Sequence, residues 1–138
     1  NIKTWRQVEK NVMELLSRPD YMIGSDAIPT GGLPHPRAFG CFPRVLGRLR
    51  RRYNFPIEQV VQRITENPAQ RFNLHRRGKI IKDNFADIVI LDKDHLNDRS
   101  TFEDPNVHPE GIYWVIVNGK IAVKNEKTTG ILSGKAIP

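Results

Sequence analysis

The sequence predicts an α/β chain in two parts, and a change of hydrophobic period carries that prediction. Before Arg76 the apolar residues recur every three to four positions, which is typical of amphipathic helices, around one short apolar run. From Gly78 onward they form alternating or continuous runs rich in Ile and Val, which is typical of strands. We therefore expect two segments, residues 1–76 and residues 77–138.

Length, cysteine content and hydropathy exclude several classes of protein. A chain of 138 residues is long enough to bury a sizeable core. Its single cysteine, Cys41, excludes an internal disulfide framework and fits a reducing compartment. No apolar run approaches the ~20 residues that span a bilayer, and no signal-peptide pattern is visible at the start. We therefore predict a cytoplasmic protein that does not contact a membrane.

The formal net charge is +7, and part of it falls on one predicted helix. A helix over this region would carry a basic stripe formed by Arg44, Arg48, Arg51 and Arg52. A nucleic-acid site is one interpretation, and a solvated helix face is the other. The stripe has no interleaved aromatic residues and matches no nucleic-acid-binding motif, so we favour the solvated face and expect no nucleic-acid partner.

Three helices are predicted in the first segment. The first runs from Thr4, a candidate N-cap, to Ser17 and is stopped by Pro19; its apolar face is Trp5, Val8, Val12 and Leu15. The second runs from Pro43 to Tyr53. The third begins near Pro56, and Asn67-Pro68 ends it or bends it into a last turn over residues 69–72.

Polar residues cluster after the short apolar run. Met22 and Ile23 predict a brief buried strand, and Asp26 falls where that strand ends. A connection rich in Gly and Pro follows, and it contains His35 and Arg37. Active sites of parallel α/β proteins are assembled at this edge of the sheet. The alternative is that Ser25 and Asp26 only cap a turn.

The second segment predicts strands and one long loop. Residues 79–82 are a candidate strand, and residues 86–91 predict a strand buried on both faces because they are apolar and β-branched. Residues 93–110 are polar and predict a surface loop. Two further strands, at 112–117 and 120–123, flank Asn118-Gly119, which is a strong hairpin signal because both turn residues need positive φ.

Several motifs in this order resemble one family. They are Ile23-Gly24-Ser25-Asp26, the segment from Gly32 to Gly40 (Gly-Leu-Pro-His-Pro-Arg-Ala-Phe-Gly), Pro68-Ala69-Gln70-Arg71-Phe72, Ala86-Asp87-Ile88-Val89, Phe102-Glu103-Asp104-Pro105, Pro109-Glu110-Gly111-Ile112 and Val115-Ile116-Val117-Asn118-Gly119. Together they resemble the C-terminal third of the N-acyl-D-amino-acid deacylases (D-aminoacylases) of the amidohydrolase superfamily. The resemblance covers nearly the whole chain.

This resemblance implies a fold and a place in it. The complete protein would contain a metal-dependent (β/α)₈ TIM barrel and a small β-sandwich built from both ends of a longer chain. Residues 1–76 would supply the last barrel strand and its helices, and residues 77–138 would supply the C-terminal share of the sandwich. The missing N-terminal barrel portion would be a partner of this chain, and self-association is expected in its absence.

The resemblance also implies a chemistry. The reaction would be zinc-dependent hydrolysis of N-acyl-D-amino acids, small-molecule substrates, with Asp26 as the general acid/base and Ser25, His35 and Arg37 as substrate-binding residues. The family's zinc ligands match no residues here, so we expect them outside this chain and expect the chain alone to be inactive. Another amidohydrolase reaction, such as that of a cyclic amidase or a D-glutamate deacylase, stays open, as does a non-enzymatic basic binding module.

Overall fold

The computed structural model describes residues 2–28 and 33–137, and its first half is helical. The helical elements are α1 (Ile2–Ser17), α2 (Arg37–Arg44), a π-helical turn (Val45–Leu49), α3 (Arg50–Arg52), α4 (Ile57–Ile64) and α5 (Glu66–Arg71). The three predicted helices are confirmed, although the second begins earlier, at Arg37. Pro43 lies inside α2, where it removes one backbone donor, and the helix widens into the π turn directly after it.

The orientation of α1 differs from the prediction. Trp5 is 70% exposed, and the other members of the predicted apolar face, Val8, Val12 and Leu15, are exposed as well. The buried residues are Met13 and Leu16, which lie along one edge of that predicted face. Thr4 lies inside the helix and is not its cap. The periodicity predicted the helix, but which face is covered depends on neighbours, and nothing in the described part of the chain covers this one.

Arg63 ties α1 to α4. Its side chain is almost fully buried, and its Nε donates to the backbone oxygen of Leu16 at 2.9 Å. Its Nη2 donates to the oxygens of Ser17 at 3.4 Å and Arg18 at 3.1 Å. The last carbonyls of a helix have no partner within the helix, so one buried guanidinium satisfies several of them at once.

The core joins the helices to the long loop of the second segment. Its buried members are Met13, Leu16, Val45, Leu46, Leu49, Val60 and Leu96. Leu96 belongs to the loop and is fully buried against the π-helical turn. At Gly47 a Cβ would lie 2.3 Å from the backbone oxygen of Leu96, so only glycine allows the loop to approach this closely.

The second half forms one antiparallel sheet in the order β1-β2-β3-β4. Its strands are β1 (Ile88–Leu91), β2 (Ile112–Val117), β3 (Lys120–Lys124) and β4 (Lys127–Thr128). The predicted hairpin is confirmed, with φ of 48° at Asn118 and 79° at Gly119. The sequence did not predict β4, which a second positive-φ turn at Asn125 and Glu126 connects to β3.

In this half one predicted strand is absent, and another is present but shorter and less buried than predicted. Residues 79–82 form no strand, and Ile80 is 84% exposed. The strand predicted over 86–91 is shorter, and Val89 and Ile90 at its centre are exposed. Among the described residues β1 pairs only with β2, so it is an edge strand of this sheet. A run of β-branched residues indicates that a strand favours burial. Burial also requires other elements to pack on both faces of the strand, and the run itself does not determine these.

The strand predicted at Met22 and Ile23 is also absent. Residues 21–28 carry no assigned strand, and Ile23 donates its backbone N–H to the oxygen of Arg63 at 3.2 Å. A strand exists only where a neighbouring strand pairs with it, and the described residues contain none beside this segment. Met22 and Ile23 are half-buried and not fully buried as predicted.

Most of the basic stripe makes contacts within the chain. Arg44 binds Asp98, Arg51 donates to the backbone oxygen of Leu96 at 3.0 Å, and Arg52 pairs with Glu9. The side chain of Arg48 is exposed. These contacts favour the interpretation of a structural and solvated helix face. Separately, no helix in the described part of the chain is long and apolar enough to cross a membrane.

Candidate functional site

Asp26 lies at the end of the extended segment that follows α1. Its carboxylate is 83% exposed, and its backbone has a φ of 49°, in the left-handed region that Asp tolerates better than most residues. Oδ2 lies 3.2 Å from Nη2 of Arg37. The carboxylate of Asp26 is therefore held by one contact, with Arg37, and the rest of it is accessible to a reacting molecule.

Ser25 shapes the turn beside this carboxylate. Its Oγ accepts a hydrogen bond from the backbone N–H of Ala27 at 3.3 Å. That contact is the local side-chain-to-backbone turn that serine commonly makes. The hydroxyl retains its own proton for donation, so this bond does not use up its hydrogen-bonding capacity.

Arg37 is the first residue of α2 and faces Asp26. Its Nε is buried and has no hydrogen-bond partner among the described residues. A buried donor without a partner costs free energy, and such groups call for an explanation in a native structure. The guanidinium thus presents Nη2 to Asp26, while its Nε is enclosed by protein atoms and makes no hydrogen bond.

His35 completes the group. Its Nδ1 accepts a hydrogen bond from the backbone N–H of Arg37 at 3.1 Å, which leaves the proton of the neutral ring on Nε2. The ring packs edge-to-face on Phe102, with 5.0 Å between the centroids. The structure therefore brings Asp26, His35 and Arg37 together at the start of α2, with Ser25 in the turn beside Asp26.

Cys41 lies one turn along α2. Its thiol is 3.9 Å from the backbone oxygen of Gly24, at the start of the Asp26 turn. Burial raises the pKa of the Cys41 thiol, which the positive charges of Arg44 and Arg37 offset in part. The thiol is therefore held in its neutral form. No group of three or more His, Cys, Asp or Glu side chains within residues 2–28 and 33–137 is arranged to hold a metal ion.

Two residues near the site were missed in the sequence. Phe102 supports the ring of His35, and Asp98 binds Arg44 at the other end of α2. Both lie in the segment predicted as a surface loop. The motif Phe102-Glu103-Asp104-Pro105 signalled part of this loop, but nothing in the local pattern indicates that the loop packs against α2.

Comparison with known proteins gives a consistent result. Residues 3–123 match the amidohydrolase family. The chain is 39% identical to a D-aminoacylase of Alcaligenes xylosoxydans xylosoxydans over 130 residues, which are 94% of this chain and 27% of that protein. It is 38% identical to an N-acyl-D-glutamate deacylase of the same organism over 112 residues, 80% of this chain and 23% of that protein.

Solved structures of deacylases resemble this chain as well. A D-aminoacylase crystal structure, described as defining a novel subset of amidohydrolases, superposes with a TM-score of 0.85 at 38% identity, over 91% of this chain and 27% of that one. The structure of the N-acyl-D-glutamate deacylase of Bordetella bronchiseptica, in complex with zinc and a phosphonate inhibitor, superposes with a TM-score of 0.73 at 40% identity. The superposition covers 76% of this chain and 22% of that one. The chain thus spans about a quarter of the length of these relatives.

Proposed function

The chain belongs to the amidohydrolase family, and from that premise we propose that it is the C-terminal part of a hydrolase that cleaves the N-acyl amide bond of N-acyl-D-amino acids. In this proposal residues 1–76 complete a (β/α)₈ barrel, and residues 77–138 contribute to a small β-sandwich. The relatives that match the chain are deacylases of this kind. The protein would act in the cytoplasm.

One observation carries the proposal, namely the 3.2 Å separation of Arg37 and Asp26. In an N-acyl amino acid the carboxylate and the amide nitrogen are attached to the same carbon atom. Groups that bind the carboxylate and protonate the nitrogen must therefore be neighbours. Arg37 and Asp26 are the right pair of side chains at the right spacing for these two tasks.

Asp26 would carry the proton. Its carboxylate accepts a proton from the attacking water while the oxygen of that water bonds to the carbonyl carbon. The same proton then passes to the amide nitrogen as the C–N bond breaks, which releases a carboxylate and the free D-amino acid. Positioned acid/base groups of this kind typically contribute ~10²–10⁴-fold to a rate.

Arg37 would bind the carboxylate of the substrate. Its side chain is partly exposed, and a carboxylate supplies two acceptor oxygens in the geometry of the guanidinium fork. His35 holds the start of α2 through its bond to the N–H of Arg37 and would help to orient the substrate, as would Ser25. Charge complementarity thus favours an anionic amino-acid substrate.

A zinc ion, when bound, would polarise the amide carbonyl and lower the pKa of water. The described residues do not fit such an ion, since they form no group of three ligands. We propose that zinc is held by side chains outside this chain. The 138 residues would then be inactive on their own, and the rest of the barrel would be their partner.

The N-acyl-D-glutamate deacylase that matches the chain supports a second candidate, in which the substrate side chain is also anionic. A cyclic amide fits less well, because it offers no free carboxylate to Arg37. A basic binding module is also disfavoured, since Arg44, Arg51 and Arg52 already make internal contacts.

The test is a substrate panel with the full-length protein. N-acetyl-D-methionine, N-acetyl-D-glutamate, their L-enantiomers and a cyclic amide would be compared before and after zinc is removed by a chelator. We expect turnover of a D-substrate, little turnover of the L-series, and recovery when zinc is returned. Turnover confined to the cyclic amide, or unaffected by the chelator, contradicts the proposal.

A further inference from the structure

The loop from Asp98 to His108, here called the 98–108 loop, packs along α2. It contacts the helix region through three side-chain pairs. Phe102 contacts the ring of His35, and the ring of His108 packs edge-to-face on Phe39, each with 5.0 Å between centroids. The third pair is Arg44 with Asp98. These contacts extend along the whole of α2 and the turn before it.

The 98–108 loop is internally ordered. Ser100 is buried and its Oγ donates to the backbone oxygen of Val107 at 3.0 Å. Pro105 is fully buried. An isolated antiparallel bridge between Asn97 and Glu110 closes the base of the loop. A loop with these bonds is able to hold a helix in place, whereas an extended solvated loop is not.

The strongest of the three pairs is Arg44 with Asp98. Nε and Nη2 of Arg44 lie 2.7 and 2.6 Å from Oδ2 of Asp98, whose side chain is only 4% exposed. A Cβ at Gly40 would lie 3.4 Å from Cβ of Asp98, in van der Waals contact, so the loop lies directly on this face of α2. A buried carboxylate with one cationic partner holds that partner firmly, because separating them leaves the charge unpaired.

The pair reaches the candidate site through the helix. Arg44 and Arg37 are the two ends of α2, about two turns or ~10 Å apart. A helix of this length moves as a unit, so fixing Arg44 fixes the direction in which Arg37 leaves the helix. We propose that Asp98 is a positioning residue of the deacylase, which acts through Arg44 and α2 to keep Arg37 against Asp26 and ready for the substrate carboxylate.

This inference rests on the proposed function, and it adds that a loop of the sheet segment sets substrate affinity. The test uses the full-length enzyme with Asp98→Asn, which keeps the size of the side chain and removes its charge. The matched control is Asp94→Asn, an exposed aspartate of the same region that pairs with the adjacent Lys93. The measurements are KM and kcat for an N-acetyl-D-amino acid, and hydrogen exchange of the α2 amides.

We expect Asp98→Asn to raise KM on the order of 10-fold, because small displacements of a binding group cost that much or more. We expect kcat to stay within about threefold, and we expect the Asp94→Asn variant to match the wild type. Exchange should accelerate at the backbone amides at the end of α2, which are those of Gly40, Cys41, Phe42 and Arg44. A double variant with Arg44→Gln should be no worse than Asp98→Asn alone.

Other outcomes overturn the inference. A lower kcat at constant KM would mean that Asp98 only maintains the amount of folded enzyme. Unchanged exchange in α2 would mean that Asp98 does not anchor the helix, and this readout does not depend on activity. If the wild type hydrolyses none of the N-acyl-D-amino acids, the proposed function is wrong, and the positioning role of Asp98 in that reaction is wrong as well. Hydrogen exchange in α2 would then show only whether Asp98 anchors the helix.

Discussion

Nη2 of Arg37 lies 3.2 Å from Oδ2 of Asp26, and this contact joins the start of helix α2 to the turn that follows α1. The two residues are separated by a connection that includes residues 29–32, outside the described part of the chain. The contact brings a positive charge and a proton-accepting carboxylate together at an exposed position. Two predictions depend on it, one for each partner.

The first concerns Arg37. In the full-length enzyme Arg37→Lys keeps the positive charge but removes the planar fork, so a carboxylate loses its bidentate partner. Hydrogen bonds to charged groups are worth ~1.5–3 kcal/mol, so we expect KM to rise about 10- to 100-fold. Steady-state kinetics with an N-acetyl-D-amino acid measures this.

The control for that experiment is Arg48→Lys. Arg48 lies on the same helical region with its side chain exposed, and its replacement should leave KM unchanged. If Arg37→Lys and Arg48→Lys behave alike, Arg37 does not bind the substrate carboxylate.

Local patterns predicted local structure well. The helices containing Val12, Leu46 and Val60 and the turn at Asn118-Gly119 were all found near the expected positions, because hydrophobic period and positive-φ preference depend on residues close in the chain. The cluster of Ser25, Asp26, His35 and Arg37 was also singled out in advance, although the role of Asp26 came from the family resemblance.

The failures concern long-range contacts. The apolar face of α1 and the centre of β1 were expected to be buried, but Trp5 and Val89 are exposed. Burial depends on which other elements pack against a residue, and the local sequence does not determine this. Asp98 was missed for a related reason. Its partner Arg44 is 54 positions away, and a lone aspartate in a polar loop has no periodic signal.

Arg63 gives a prediction about stability. Arg63→Met keeps much of the apolar stem but leaves the carbonyls at the end of α1 without their buried donor. We expect a loss of ~2–4 kcal/mol in the free energy of unfolding, since several charge-assisted hydrogen bonds disappear together. Chemical denaturation followed by circular dichroism measures it.

Arg71→Met is the matched control, because Arg71 is exposed on the neighbouring helix α5. Its replacement should change stability by less than ~0.5 kcal/mol. Equal effects of the two variants would show that the guanidinium of Arg63 is not what secures α1.

Gly119 gives a prediction about the sheet. Its φ of 79° is unfavourable for any residue with a Cβ and most of all for a β-branched one, so Gly119→Val should cost ~1–2 kcal/mol. No atom lies within 4 Å of a Cβ at Gly119, so the cost is conformational and not steric crowding. Thermal unfolding measures the loss.

Gly134→Val serves as the comparison, since Gly134 also has open space and is not among the positive-φ glycines. A melting temperature that falls for Gly119→Val and not for Gly134→Val supports the turn. The hairpin geometry would be contradicted by an unchanged melting temperature in both.

The last prediction concerns Asp26 in the full-length enzyme. Asp26→Asn keeps the size and shape of the side chain but cannot accept the proton of water and return it to the amide nitrogen. We therefore expect kcat to fall by ~10²–10⁴-fold, with the fold and the bound zinc retained. Kinetics and metal analysis on the same preparation give both numbers, and Asp20→Asn, at an exposed aspartate paired with Arg18, controls for loss of charge.

Zinc content separates the interpretations of Asp26. If activity falls and zinc stays, the carboxylate transfers protons, because its removal leaves the metal in place. If zinc is lost together with activity, Asp26 is a ligand or an architectural residue, and the proton-transfer role is wrong. If kcat stays within a few-fold of the wild type, Asp26 only caps the turn, and its contact with Arg37 serves the loop and not the reaction.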